Sequence, residues 1–133
     1  MRSLIFAGIQ RYSLFSPNHV GNDAAIFSAV AQYLKENGHQ VNMYTEQEFL
    51  TNSLKGEKYI FTMMRSKASV RKLQKLEEKE DCFAVNSGHG IENCTRERMT
   101  TLLLENQISH PRSLIWDTND GVPEALIKPV FEP

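Results

Sequence analysis

Four short apolar runs alternate with stretches of helical pattern along the first hundred residues, and this alternation constrains the fold more than any other feature. The runs are Leu4 to Ile9, "QVNMY" from Gln40, "KYIFTMM" from Lys58 and "CFAVN" from Cys82. Each is strand-length and bounded by turn residues, as buried strands are. Between them, Ile26, Val30, Tyr33 and Leu34 form an apolar stripe at helical spacing, and Val70, Leu73 and Leu76 form another over Ser66 to Lys79. A third helix is predicted from about Thr95 to Asn106, with Met99, Leu102 and Leu103 inward. Strand and helix in strict alternation imply parallel strands joined by right-handed crossovers, with helices on both faces. The expected fold is a three-layer α/β/α Rossmann-like domain with a mainly parallel sheet of four to five strands, "HPRSLIWDT" being the fifth extended segment.

Punctuation supports this reading. Asn22 or Asp23 can cap the first helix, Gly38 suits the left-handed position that ends it, and Thr45 with Glu48 has capping-box spacing. With 133 residues the chain suits one core, divided here into a domain over 1–116 and a tail over 117–133 rich in proline. Fifteen basic against sixteen acidic side chains leave no broad positive face, which speaks against nucleic acid. The run "SLIFAGI" is too short to span a membrane, and two cysteines without metal-like spacing favour a reducing compartment. A cytoplasmic protein without nucleic-acid or membrane partners is expected.

In parallel sheets, ligands sit beyond the carboxyl ends of the strands, where strand order reverses. An order 3-2-1-4 would put the loops after strands one and four at that point. Those loops, "QRYSLFSPNHVGND" and "NSGHGIENCT", are the most polar connections in the chain. Candidate substrate-binding residues are Ser16, Asn18, His19, Gly21 and Asn22 in the first, with Ser87 and His89 in the second. Imidazoles facing across a crevice suit a carboxylate or phosphate, or a proton shuttle. The alternatives are local: one of Asn18, Asn22 and Asp23 as helix cap, and Ser87-Gly88-Gly90 as a turn required by geometry. Arg65 leaves the third strand on the same edge and could clamp a carboxylate, or stand solvated while Ser66 caps the next helix. The absence of G-x-G-x-x-G and G-K-[ST] favours a small polar or anionic ligand over a dinucleotide. Cys82 and Cys94 read as packing residues, and "KASVRKLQKLEEKE" as a solvated helix face.

The stretch "VNSGHGIENCTRERMTTLLLENQISHPRSLI" resembles the end of the N-terminal (pre-ATP-grasp) domain of ATP-grasp enzymes: Asn86-Ser87 closing a strand, Ile91-Glu92 opening a helix, and Ile108 to Pro111 before a further strand. "SPNHVGNDAAIFSAVAQYLKENGHQVNMYTEQEF" is similar to that family's opening substrate loop and helix. The resemblance covers roughly residues 1 to 116. It implies a Rossmann-like substrate-binding domain of a carboxylate–amine or carboxylate–thiol ligase, with catalytic residues unassigned. ATP and magnesium would serve in the complete enzyme, bound by later subdomains. Lys128 in "EALIKPV" matches only weakly the start of the first ATP-contacting strand, and the magnesium carboxylates have no counterpart. The resemblance therefore implies a fragment or stand-alone relic, not expected to be catalytically complete or to bind ATP tightly by itself. Two other readings stand beside it. One is a non-catalytic ligand-binding or interaction module, in which Val130 and Phe131, with Trp116 upstream, dock onto a partner or onto a second copy in a homodimer. The other is the N-terminal half of a nucleotide-sugar glycosyltransferase.

Overall fold

The computed structural model describes residues 2–11, 20–79 and 82–111. The chain divides into two compact units, Met1–Cys94 and Thr95–Pro133. In the first, elements follow the order β1 (Ile5–Gln10), α1 (Val20–Glu36), β2 (Gln40–Thr45), α2 (Glu46–Thr51), β3 (Tyr59–Thr62), α3 (Lys67–Glu78), β4 (Phe83–Val85) and α4 (Gly88–Asn93). The strands form one sheet in the order β2-β1-β3-β4, parallel throughout. This is an α/β fold of the Rossmann-like three-layer type. The expected fifth strand and the boundary at residue 116 lie at or beyond residue 110, where description stops at 111.

Strand alternation sorts side chains to two faces. Ala7, Ile9, Tyr44 and Ile60 point to the face covered by α2 and α3, where Phe49, Val70 and Leu73 complete a buried cluster. Phe6, Val41 and Phe61 point to the other face, under Phe27 and Ala31 of α1. Gly8 lies at the centre of that second face. A Cβ there would stand 2.7 Å from the tip of the Phe61 ring and 2.9 Å from that of Phe27. The two rings therefore meet over bare backbone, with centroids 4.8 Å apart.

The inward stripe of α1 differs from the expected one. Phe27, Ala31 and Leu34 face the sheet, whereas Ile26, Val30 and Tyr33 are exposed. The helix is apolar over more than half its circumference, so periodicity alone does not choose the inward row; the seat over Gly8 does. Asn22 and Asp23 lie inside the first turn of α1 and do not cap it, because the helix begins at Val20. Its far end closes as expected: Gly38 takes φ 81°, and the N–H groups of Gly38 and His39 donate to the carbonyls of Lys35 and Leu34.

The second unit contributes α5 (Arg96–Glu105), capped by Thr95, whose hydroxyl accepts from the Arg98 N–H. Against expectation Met99 is exposed and Leu102 and Leu103 are only half-buried, so α5 has no fully buried side chain. Among the described residues no helix is long and apolar enough to cross a membrane.

Candidate functional site

Strand order corrects the place where a ligand crevice should open. With β2-β1-β3-β4, the order reverses between β1 and β3, not between β1 and β4. The carboxyl ends of β1 and β3 are joined at that point: the Met63 N–H and the Thr62 hydroxyl both donate to the Ile9 carbonyl, at 3.2 Å each. Thr62 Oγ1 in turn accepts from the Met64 N–H at 3.0 Å. Asn86, at φ 58°, reaches back from the end of β4 and donates through Nδ2 to the Thr62 carbonyl at 2.8 Å. One threonine thus fixes the exits of three strands.

Above this junction lies a hollow of about 310 Å³. Arg11 and Asp23 stand on one side, Met64 and Arg65 on another, and Asn86 with Gly90 and Cys94 on a third. Arg11 follows β1 directly, and its Nη1 donates to Asp23 Oδ2 at 2.7 Å with both side chains largely buried. The Arg11 Nε is buried and, among the described residues, makes no hydrogen bond.

Arg65 is positioned through its backbone. The buried Glu46 carboxylate, at the start of α2, accepts from the Arg65 N–H at 2.9 Å and the Ser66 N–H at 3.1 Å. Ser66 then caps α3, accepting from the Ser69 N–H. That leaves the Arg65 side chain exposed at the rim, with no ion pair among the described residues. Asp23 neutralises Arg11, so the guanidinium of Arg65 leaves the described lining of the hollow with a net positive charge.

The candidates from the polar loops are distributed differently. Ser16, Asn18 and His19 lie outside the described residues, as does Lys128. Gly21 and Asn22 are exposed in the first turn of α1, beside Asp23, which lines the hollow. Ser87 caps α4, its hydroxyl accepting from the Gly90 N–H at 3.0 Å. His89 is exposed, with Nε2 3.8 Å from Glu78 of α3. The close approach in this loop belongs to Gly88: its N–H donates to Glu77, and a Cβ there would stand 2.8 Å from Gln74 and 3.0 Å from the α3 backbone. Of the predicted residues that are described, Arg65 alone lines the hollow directly.

Arg11 and Asp23 carry the rest of the charge among its described lining residues. The signal for Arg11 was an arginine immediately after a buried strand, the same placement that singled out Arg65. Cys94 lines the rim and is exposed, which corrects its reading as a packing residue; Cys82 is half-buried against the core. Among the described residues no group of three or more His, Cys, Asp or Glu side chains could hold a metal ion. The described lining of the crevice offers guanidinium donors suited to an anion. Comparison of the chain with protein-family models, with curated proteins and with solved structures gives no match.

Proposed function

We propose that this chain is a small-anion-binding domain, and that it serves as the substrate-binding part of an ATP-dependent carboxylate–amine or carboxylate–thiol ligase of the ATP-grasp type. The observation that carries the first half is the exposed guanidinium of Arg65, without an ion pair among the described residues, lining with Arg11 a hollow at the strand-order reversal. A planar guanidinium matches a carboxylate or phosphate by two parallel hydrogen bonds. Supporting the second half are the two quoted stretches that resemble the ATP-grasp N-terminal domain. In that reading the crevice holds a carboxylate substrate while ATP and magnesium are held by other subdomains.

Titration of the ¹⁵N-labelled chain with inorganic phosphate, and separately with succinate, tests the anion site. Saturating amide shifts are expected at Arg11, Met64, Arg65, Asn86 and Gly90. Arg65→Ala is expected to weaken binding at least about tenfold, since a hydrogen bond to a charged group contributes roughly 1.5–3 kcal/mol. Shifts that never saturate, or that ignore Arg65→Ala, reject the site. The ligase half has its own readout: with ATP and magnesium the chain alone is expected to release no phosphate, and robust turnover contradicts the division of labour.

A further inference from the structure

On the α1 side of the sheet the surface is apolar to an unusual degree. Of the eight large hydrophobic side chains exposed among the described residues of the first unit, seven lie on that side, Ile5 being the exception. Phe83 is 67% exposed and Tyr33 66%. From Ala24 to Tyr33 the helix carries no charged residue, although eight of those ten positions are exposed. The only charge in its first turn, Asp23, is held by Arg11. On the opposite face, α3 exposes Lys67, Arg71, Lys75 and Glu78. A helix apolar over more than half its circumference and uncharged from Ala24 to Tyr33 has more apolar surface than its own sheet covers, whereas α3 has the outer face of a solvated helix.

The shape of this surface follows from handedness. α1 returns antiparallel to the strands in a right-handed crossover from β1 to β2, so β3 and β4 lie on its other flank. Ile26, Val30 and Tyr33 each precede a residue of α1 that faces the sheet (Phe27, Ala31 and Leu34), and one residue back is a rotation of about 100° toward β3 and β4. Asp23, on the same flank, lines the hollow with Met63 and Arg65 of the β3 exit, which agrees. Tyr59, Phe83 and Val85 face the same side and are exposed. They form a floor, with Ile26, Val30 and Tyr33 as its wall: a shelf one helix wide.

We infer that a second copy of this chain covers the shelf, about a two-fold axis parallel to the strands. That operation sets the two α1 helices side by side and parallel in one middle layer between two sheets. Each helix then covers its own β1 and β2 and rests on the other copy's shelf. Ile26, Val30 and Tyr33 meet their own counterparts, and the small outer residues Ala25 and Ala29 turn toward the aromatic floor. Three features favour this occupant. An uncharged patch carries no like-charge repulsion when it meets itself. Six large, substantially exposed side chains amount to several hundred Å² per copy, near the roughly 800 Å² of a standard interface. Ala25 and Ala29 permit close approach. The inference does not depend on what the crevice binds.

Sedimentation velocity of the full chain is expected to give twice the monomer mass, and Ile26→Glu with Tyr33→Glu to give a monomer that still titrates with phosphate at Arg65. Val30→Cys is expected to form a disulfide-linked dimer on mild oxidation. The unaltered chain, with Cys82 and Cys94 as background, and Lys75→Cys on the charged face are expected not to. A wild-type monomer overturns the inference, whatever else covers the shelf. A dimer that survives both glutamates overturns it too, and one that Val30→Cys fails to link excludes the parallel arrangement.

Discussion

Glu57 is a carboxylate 3% exposed, and its environment shows how a buried charge is kept. Oε1 accepts from Tyr44 Oη and from Asn42 Nδ2, at 2.6 Å each, while Oε2 is buried and, among the described residues, accepts no hydrogen bond from a side chain. Burial pushes this carboxyl up, but the hydrogen bonds from Tyr44 and Asn42, helped by nearby backbone N–H groups, hold it below the usual carboxylate range. Burial, the bond to Glu57 and its negative charge push the Tyr44 phenol up to about 12. The two signs give opposite limbs. A lowered carboxyl stabilises the fold above its unfolded value near 4.5, and that contribution is lost as pH falls through the folded value. A raised phenol stabilises fully below its unfolded value of 10.0, and that contribution is lost as pH rises toward 12. Tyr44→Phe is therefore expected to destabilise by about 1.5–3 kcal/mol at neutral pH and to flatten the alkaline limb, as denaturant unfolding across pH would show. None of this was legible beforehand. "QVNMY" signalled a strand, but nothing in its pattern said that Asn42 and Tyr44 would share an acid thirteen or more residues away.

Helix α2 has six residues, too few to persist by itself, and its two ends are stabilised by different means. At the start, Thr45 and Glu48 exchange bonds: the Glu48 N–H donates to Thr45 Oγ1 at 3.1 Å, and the Thr45 N–H donates to Glu48 Oε2 at 2.8 Å. That box was readable because its partners are three residues apart. At the other end Lys72 of α3 donates from Nζ to the carbonyls of Phe49, Leu50 and Asn52, with the ammonium over the Phe49 ring. A cation there also suits the negative end of the helix. Charge patterning makes Lys72 one more solvated lysine in "KASVRKLQKLEEKE", because its partners lie twenty and more positions away. Lys72→Met keeps the stem and removes the ammonium. It is expected to cost about 1.5–3 kcal/mol and to speed amide exchange in α2 before the rest of the domain, while Lys75→Met stays within about 0.5 kcal/mol. The same limit governed α1, where spacing established a helix but three-dimensional fit over Gly8 selected its inward row.

Across the whole molecule, alternation of strand and helix was enough for the parallel sheet but not for its strand order, because order depends on which side of β1 each crossover lands. Placing β3 next to β1 set the Arg65 loop between the connections after β1 and β4, so that the hollow combines Arg65 with Asn86 and Gly90 and draws in Arg11, which no motif marked. The positive edge is built from three connections, after β1, β3 and β4, that share the Thr62 junction. A ligand there stabilises only the folded state, so binding and global stability are linked. At phosphate a hundredfold above its dissociation constant the gain is about 2.7 kcal/mol, enough to raise the unfolding midpoint of a domain this size by roughly 10 °C or more. Arg65→Ala should lose about half of that rise or more and leave the midpoint without phosphate nearly unchanged, since the side chain is exposed and unpaired among the described residues. Thr62→Val should do the reverse. It strips the bonds to Ile9 and Met64 inside the core, lowering the phosphate-free midpoint by about 1–3 kcal/mol of stability, and loosens the crevice as a consequence. Scanning fluorimetry on the wild type and both variants, with and without phosphate, separates the two effects. Equal phosphate-induced rises in all three would place the anion somewhere other than this edge.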